Sequence, residues 1–303
     1  MEVAYCLEVM SMHITMSLPT CSPRSRDVEI AWYRNIDEGP WDGLATFDRA
    51  VYPSSWALTV QLAAAAAMTE RVRLWSGIAI LPVRNAALFA KEVATIDVLS
   101  GGRLTLGVGI GAHDVEYTAT GGVLEQRRQR MDAQVETMQK IWAQVPPVEG
   151  HYPIGPAPVQ TGGIPIIAGV EGPKAIARAA KWATGVMEGS HAMHFDPERV
   201  GEQRQRVVQG WKDAGRTDTP HFSSSVFFAL GDDPQSQLTE FLADFLKPYG
   251  VDSAFLETST SHGVDNLRAA VAGARAAGVD DLMLLPTTAD PNEIARAREA
   301  LGI

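Results

Sequence analysis

Cysteine is scarce in this chain, which has Cys6 and Cys21 and no others among its 303 residues. One pair cannot build the disulfide framework of a small secreted domain, and few cysteines are typical of a reducing compartment. The histidines offer no metal site either, because His191 and His194 have no carboxylate at ligand spacing. We therefore predict a cytoplasmic protein without a bound metal.

The chain also lacks an apolar run of the roughly 20 residues that a membrane-spanning helix needs. Its first residues are fairly apolar, but Glu2 and Glu8 stand where a signal peptide requires basic residues. Because a strand-like segment begins right after Met12, residues 1–12 are predicted to be an N-terminal extension. We expect no association with a membrane.

Positive charge is in short supply, since 26 Lys and Arg face 36 Asp and Glu for a formal net charge of -10. A nucleic-acid binder would carry a basic patch, and the short cluster Arg127, Arg128 and Arg130 fits a solvated helix face. Motifs of serine hydrolases, zinc proteases and P-loop proteins are absent as well. The predicted partner is a small-molecule substrate and not a nucleic acid.

What the chain does contain is an alternation of strand-like and helix-like segments. The predicted strands are 13–19, 42–47, 71–81, 103–110, 164–169, 185–189, 221–230 and 280–286. The predicted helices are 27–37, 54–68, 86–99, 124–143, 234–247 and 264–277, with further helices starting at Pro173, Asp196 and Asp290–Pro291. Strands that alternate with helices over this length predict a (β/α)8 TIM barrel, with an open doubly wound sheet as the rival.

No composition break divides the chain, so residues 1–303 are predicted to form a single domain. The segment 144–163 is rich in proline and glycine, and we interpret it as an insertion loop before the fifth strand. We expect this insertion to help form the substrate pocket.

Three glycines, Gly107, Gly109 and Gly111, stand at alternate positions of the fourth strand. Together with Ala112 they formally match the dinucleotide fingerprint, but that fingerprint needs a helix directly afterwards, and residues 113–122 are predicted to be a loop. Two interpretations remain open. Either small residues let the strand pack inside a narrow barrel, or they allow close approach of a flat or phosphorylated ligand.

A second glycine-bearing turn lies between the fifth strand and the next helix. Free amides at such a turn can bind phosphate, and Lys174 adds positive charge, whereas Glu171 argues against an anion. An ordinary turn is the alternative. In the third strand, Gly77 indicates a bulge or close contact with a ligand.

Candidates for acid–base chemistry lie near predicted strand ends, where barrel enzymes place catalytic groups. They are Asp48, His113 and Glu116. His113 is the best candidate for proton transfer because histidine titrates near neutrality, and a solvated loop histidine is the alternative.

The chain contains the stretches "TERVRL", "KEVATIDVLSGGR" and "AGVEGPKA". These stretches closely resemble the bacterial luciferase-like monooxygenase superfamily, above all the branch that uses the deazaflavin coenzyme F420. The resemblance implies a TIM barrel that binds F420 or, as the alternative, FMN. It also implies a cis peptide bond between Gly77 and Ile78 against the cofactor ring, and a cofactor pocket lined by residues 107–111. The phosphate cradle would be formed by Gly169, Val170, Glu171, Gly172 and Lys174.

One position departs from this resemblance: "TFDRA" places Arg49 where several relatives have a histidine. Asp48 or His113 would then have to act as the base. The long anionic tail of F420 calls for basic residues at the pocket mouth, for which Lys174, Arg49 and Arg84 are candidates.

We therefore predict an oxidoreductase that transfers hydride between F420 and a small organic substrate. The alternatives are an FMN-dependent monooxygenase that uses O2 and a non-catalytic flavin-binding protein. A homodimer is expected, because relatives are often dimers.

Overall fold

Parallel strands pair with their neighbours in sequence order, and the last strand pairs with the first to close a barrel. A computed structural model describes residues 12–189, 192–247 and 262–303, so the predicted N-terminal extension lies outside the described residues except for Met12. The strands of the described residues are β1 His13–Ser17, β2 Gly43–Thr46, β3 Arg73–Ile80, β4 Leu104–Gly109, β5 Ile166–Gly169, β6 Gly185–Met187, β7 His221–Phe228 and β8 Asp281–Pro286. The predicted TIM barrel is confirmed, and the open sheet is excluded.

Helices pack around this barrel and bury their apolar faces against it. They are α1 Arg26–Glu38, α2 Leu58–Met68, α3 Ala86–Leu99, α4 Asp114–Thr120, α5 Arg127–Trp142, α6 Pro173–Ala179, α7 Pro197–Asp213, α8 Pro234–Phe245, α9 Gly263–Ala277 and α10 Asn292–Leu301. Single 3-10 turns stand at Leu81–Val83 and Leu124–Gln126. The helix starts predicted near Asp196 and at residue 234 are confirmed by α7 and α8. The carboxylates of Asp196 and Asp233 accept hydrogen bonds from backbone N–H groups of the first turn of these helices.

Two helix predictions were wrong. Helix α2 begins at Leu58 and not at residue 54. The Ser54 carbonyl, which a helix starting there would use, accepts a hydrogen bond from Arg24, and the Ser54 hydroxyl contacts Ser22. Residues 113–122 were predicted as loop, but Asp114–Thr120 is a helix. It has acidic residues in its first turn, which suit the positive end of a helix, and it ends at Gly121 in the left-handed conformation with φ 71°.

The segment 144–163 lies at the opposite end of the barrel from the carboxyl ends of the strands. Gln160 fixes it there, because its side-chain amide donates to the carbonyl of Leu104 at the start of β4, 2.7 Å away, and to the carboxylate of Asp97, 2.7 Å away. Residues 143–165, all of them described, contain neither helix nor strand. The predicted loop before β5 is confirmed, but its predicted place beside the pocket is wrong.

A buried ion pair stands near the amino ends of the strands. The carboxylate of Asp281, the first residue of β8, is fully buried and accepts hydrogen bonds from Arg73 Nη2 at 2.7 Å and Thr15 Oγ1 at 2.6 Å. Burial raises the pKa of Asp281 from its ordinary value of 3.8, while the Arg73 charge opposes the shift.

Candidate active site

The carboxyl ends of the strands surround a cavity of about 1130 Å³. The predicted site residues that line it are Asp48, Gly77, Ile78, Gly111, His113, Gly169, Val170, Glu171, Gly172 and Lys174. Gly107, Gly109 and Glu116 are not part of the lining. The structure therefore brings most of the predicted residues to one place, which is the place where barrel enzymes carry their chemistry.

The wall of this cavity contains a bulge in β3. The pairing of β3 with β4 shifts register between Ser76 and Ala79, and the peptide bond from Gly77 to Ile78 is cis, as the resemblance implies. A side chain at Gly77 would place its Cβ 3.0 Å from the sulfur of Met283. The bulge turns Ile78 into the cavity lining.

The glycines of β4 and β5 make room for Ile78. A Cβ at Gly109 would lie 2.1 Å from Ile78 Cδ1, and one at Gly169 would lie 2.4 Å from the same atom. At Gly107 a Cβ would lie 2.2 Å from the Ser76 carbonyl oxygen and 2.8 Å from Ile78 Cγ2. These spacings are far below van der Waals contact, so in the structure the space that we expected a flat ring to use is filled by Ile78.

Gly111, the last glycine of this series, does line the cavity. Its φ of +66° lies in the left-handed region, and an added Cβ would come within 2.8 Å of Ile80 Cγ2. Backbone conformation and packing thus both require glycine here.

Asp48 follows β2 and is tied to the end of β3. Its Oδ2 accepts hydrogen bonds from the backbone N–H of Ile80 at 2.9 Å and from Arg84 Nη2 at 2.7 Å. This carboxylate therefore has a fixed cationic partner, and Arg84 has its charge balanced within the protein and not by a cofactor tail.

Glu116 has an equivalent partner in Arg49. Glu116 Oε1 accepts from Arg49 Nε at 3.1 Å, and Oε2 accepts from the backbone N–H of Ala50 at 3.2 Å. The guanidinium carbon also lies 5.3 Å from the ring centroid of Tyr52 and 5.1 Å from that of Phe245. Arg49 lines the cavity, whereas Glu116 stands behind it and holds it in place.

His113 is buried at the start of α4 and lines the cavity beside Arg49. Burial lowers its pKa below the ordinary 6.5, and the Arg49 charge lowers it further, while Glu116 and Asp114 oppose both effects. The imidazole is therefore neutral at neutral pH, which is the form that accepts a proton.

This balance of charges can be tested without a substrate. We expect the ring protons of His113, followed by NMR, to titrate below pH 6.5 in the wild-type protein. Glu116→Gln should lower that midpoint further, because it removes a negative charge that stabilises the imidazolium. Glu202→Gln, an exposed change on α7, is the control and should leave the midpoint unchanged. A midpoint that rises in Glu116→Gln would contradict the assignment.

Basic side chains stand at the part of the mouth formed by α5 and α6. Lys174, Arg128 and Arg178 all line the cavity. Arg178 pairs with Asp132 at 3.0 Å, but neither Lys174 nor Arg128 forms an ion pair with any described residue. The interpretation of Arg128 as part of a solvated helix face was therefore incomplete, because this side chain reaches the cavity.

The turn before α6 is held in shape by α7, since the Gln203 side-chain amide donates to the Glu171 carbonyl at 2.8 Å. Gly172 caps α6 and has open space where a side chain would stand. Helix α6 has only 7 residues, so its dipole is weak. Most of the positive charge at this turn therefore comes from Lys174 and Arg128.

Other lining residues were missed by sequence reasoning. They include Arg128, Arg178, Phe227 and Phe245. The two phenylalanines belong to β7 and α8, and their rings lie 5.7 Å apart. They have ordinary core spacing in the sequence, so nothing in the pattern marked them as part of a site.

Residues 22–301 match the luciferase-like monooxygenase family, and the chain belongs to that family. An uncharacterized protein of Mycobacterium tuberculosis is 30% identical over 168 residues, which is 53% of this chain and 58% of the relative. Another protein of that organism, provisionally named a coenzyme F420-dependent oxidoreductase, is 27% identical over 192 residues, 56% of this chain and 54% of the relative. The chain thus aligns with somewhat over half the length of these relatives.

Solved structures share the fold. An F420-dependent secondary alcohol dehydrogenase in complex with an F420-acetone adduct superposes with a TM-score of 0.78 at 18% identity, over 96% of this chain and 99% of the other. The oxygenating constituent of 3,6-diketocamphane monooxygenase from Pseudomonas putida, in complex with FMN, gives a TM-score of 0.71 at 16% identity over 96% of each chain. The structural neighbours of this chain thus include an F420-dependent enzyme and a protein in complex with FMN.

Two absences complete the description of the site. Residues 12–189, 192–247 and 262–303 contain no group of three or more His, Cys, Asp or Glu side chains placed to bind a metal ion. No helix in the described part of the chain has both the length and the apolar character to cross a membrane.

Proposed function

We propose that this protein is an oxidoreductase that transfers a hydride between coenzyme F420 and a small organic substrate. The observation that carries the proposal is the distribution of charge at the cavity. Arg49 and Arg178 are balanced by carboxylates, whereas Lys174 and Arg128 have no ionic partner among the described residues. Cations without a partner at one side of a large cavity favour a ligand with an anionic tail.

The residues present fit such a cofactor. Lys174, Arg128 and the turn Gly169–Lys174 would hold the phosphate-bearing tail, and the Ile78 bulge would form the wall against the ring. F420, when bound, supplies a carbon that gives or takes a hydride. The 27%-identical relative that carries an F420-dependent name supports this choice.

Acid–base work at the substrate is assigned to His113. Its neutral imidazole accepts the proton of a substrate hydroxyl as that group is oxidised, and it returns the proton when the reaction runs in reverse. Asp48 and Glu116 act as positioning residues, because each is already bonded to an arginine and to a backbone N–H. Apolar side chains, among them Phe227 and Leu285, exclude water from the reacting atoms.

An FMN-dependent monooxygenase is the second candidate. The same cations would hold a single phosphate, and the apolar aromatic end of the cavity, formed by Phe227 and Phe245, would keep water away from the bound ring. The FMN-bound structural neighbour supports this alternative.

Titration with F420 and with FMN, followed by absorbance or fluorescence, tests the proposal. We expect micromolar or tighter binding of F420. Binding of FMN with none of F420 would overturn the choice of cofactor, and binding of neither would overturn the flavin-type function altogether.

Lys174→Glu should weaken F420 binding by about tenfold or more, because it replaces a charge-assisted contact with a repulsion. The matched control is Lys181→Glu, which reverses the same charge at an exposed position outside the cavity. We expect the control to change the dissociation constant by less than about twofold, because salt screens the interaction between an exposed charge and a distant ligand. Equal effects of the two substitutions would show that Lys174 acts only through the overall charge.

A further inference from the structure

Arg49 lines the cavity and has hydrogen-bond donors that no described residue uses. Of its guanidinium N–H groups, Nε–H donates to Glu116, and the Nη groups make no hydrogen bond with any described residue. The side chain is nevertheless only 10% exposed. Donors held in a fixed direction at a sheltered wall are suited to bind an acceptor oxygen of a ligand.

The direction of these donors is set by contacts on several sides. Glu116 holds the Nε edge, while the rings of Tyr52 and Phe245 pack against the guanidinium. Tyr52 is itself fixed, because its hydroxyl donates to Asp244 at 2.7 Å and its ring meets Phe245 edge-on with centroids 5.8 Å apart. The Nη groups are thus preorganised before any ligand arrives.

The charge of Arg49 is already balanced. The Glu116 side chain is 1% exposed, so the ion pair is sheltered from solvent and its net charge is zero. A ligand carboxylate at the Nη groups would bring a second negative charge into this poorly hydrated place. A neutral carbonyl or hydroxyl oxygen accepts the same hydrogen bonds without that penalty.

We infer that Arg49 binds the oxygen of a neutral carbonyl compound, or of the alcohol into which it is converted, and that Glu116 makes this subsite reject carboxylates. The inference rests on the proposed function, whose substrate class it names. Phe47, Phe227 and Leu285 line the same cavity and provide an apolar surface for the body of such a substrate. His113, which feels the Arg49 charge, stands beside the oxygen as the proton-transfer group.

Two probes with the same ring and different charge test this inference, namely cyclohexanone and cyclohexanecarboxylate. Binding is followed on the protein without cofactor, through the NMR signals of the His113 ring. The wild-type protein should bind the ketone about tenfold or more tightly than the carboxylate. The reason is that Glu116 already balances the Arg49 charge, so the charge of the carboxylate probe stays uncompensated. Glu116→Gln should reverse this order, because the subsite then carries a net positive charge.

The role of Arg49 itself is tested with a double substitution, because Arg49→Met alone would leave the Glu116 carboxylate buried without its cation. Arg49→Met with Glu116→Gln removes the pair without leaving a buried unpaired charge, and it should lose the preference for the ketone. Glu202→Gln is the control, since it removes one negative charge at an exposed site and should leave the preference unchanged. A wild-type preference for the carboxylate, or a preference that Glu116→Gln does not alter, would overturn the inference.

The cofactor titration separates this inference from the proposed function. If F420 binds but the probe preference does not depend on Arg49 and Glu116, the subsite is wrong and the function stands. If neither F420 nor FMN binds, the proposed function is wrong, even if the preference for the ketone depends on Arg49 and Glu116.

Discussion

Gly109→Ala should destabilise the protein by about 1–3 kcal/mol and weaken cofactor binding, and adding Ile78→Val should reverse most of both effects. The new Cβ would lie 2.1 Å from Ile78 Cδ1, so the bulge or β4 has to shift. Valine lacks that atom, and the next contact of the Cβ, at 3.3 Å with Ile78 Cγ1, is tolerable. The measurements are denaturant unfolding and F420 titration of the single and double variants.

Gly169→Ala should follow the same pattern, because its Cβ meets the same Ile78 atom. Gly107→Ala should not be rescued by Ile78→Val, since its Cβ would lie 2.2 Å from the backbone carbonyl oxygen of Ser76. The control is Gly201→Ala in α7, where the nearest atom lies 4.0 Å away and alanine favours the helix by up to about 1 kcal/mol. No rescue at position 109 would show that Ile78 is not the residue that Gly109 accommodates. Rescue at position 107 would show that the Ser76 carbonyl oxygen is not the atom that requires glycine there.

Arg73→Met should lower the free energy of unfolding by about 3–5 kcal/mol at neutral pH, because it leaves the buried Asp281 carboxylate without its cation. Asp281→Asn should have a smaller effect. The Arg73 side chain that it leaves behind is 37% exposed and can be hydrated. Denaturant unfolding of both variants checks this difference. A larger loss in Asp281→Asn than in Arg73→Met would contradict it.

The same pair predicts the direction of a pH effect. Burial holds the folded-state pKa of Asp281 above its ordinary 3.8, and loss of Arg73 raises that pKa further. A group whose folded-state pKa is raised favours the folded state at low pH, and that stability is lost as the pH rises through the folded-state value. The difference in the free energy of unfolding between wild type and Arg73→Met should therefore be larger at pH 8 than at pH 5.

Much of the fold follows from the sequence, because each strand has a run of β-prone residues and several helices have an acidic cap. Helix α4 was harder to predict. It is 7 residues long, and it depends on contacts that are distant in sequence, among them Arg49 with Glu116. The Tyr117 hydroxyl also donates to the carbonyl of Ile110 and ties the helix to the end of β4.

Part of the cavity lining was predictable from glycines and from positions at strand ends, as at Gly77, His113 and the turn Gly169–Lys174. The partners of the acidic residues were not. Arg84 is 36 residues from Asp48, and Glu116 is 67 residues from Arg49, so their pairing depends on the closed barrel. The role of the strand-four glycines was hidden for the same reason, since the side chain that they accommodate belongs to β3.

The position of the insertion has a practical consequence. Because Gln160 and Asp97 attach this loop to the amino end of β4, residues 144–163, all described, contribute nothing to the cavity lining. Tyr152 within it is 92% exposed. The loop is thus a natural attachment point for a fluorescent label, an affinity tag or a surface tether, remote from the chemistry. Engineering of substrate choice belongs instead to the segments that follow β2, β4 and β7.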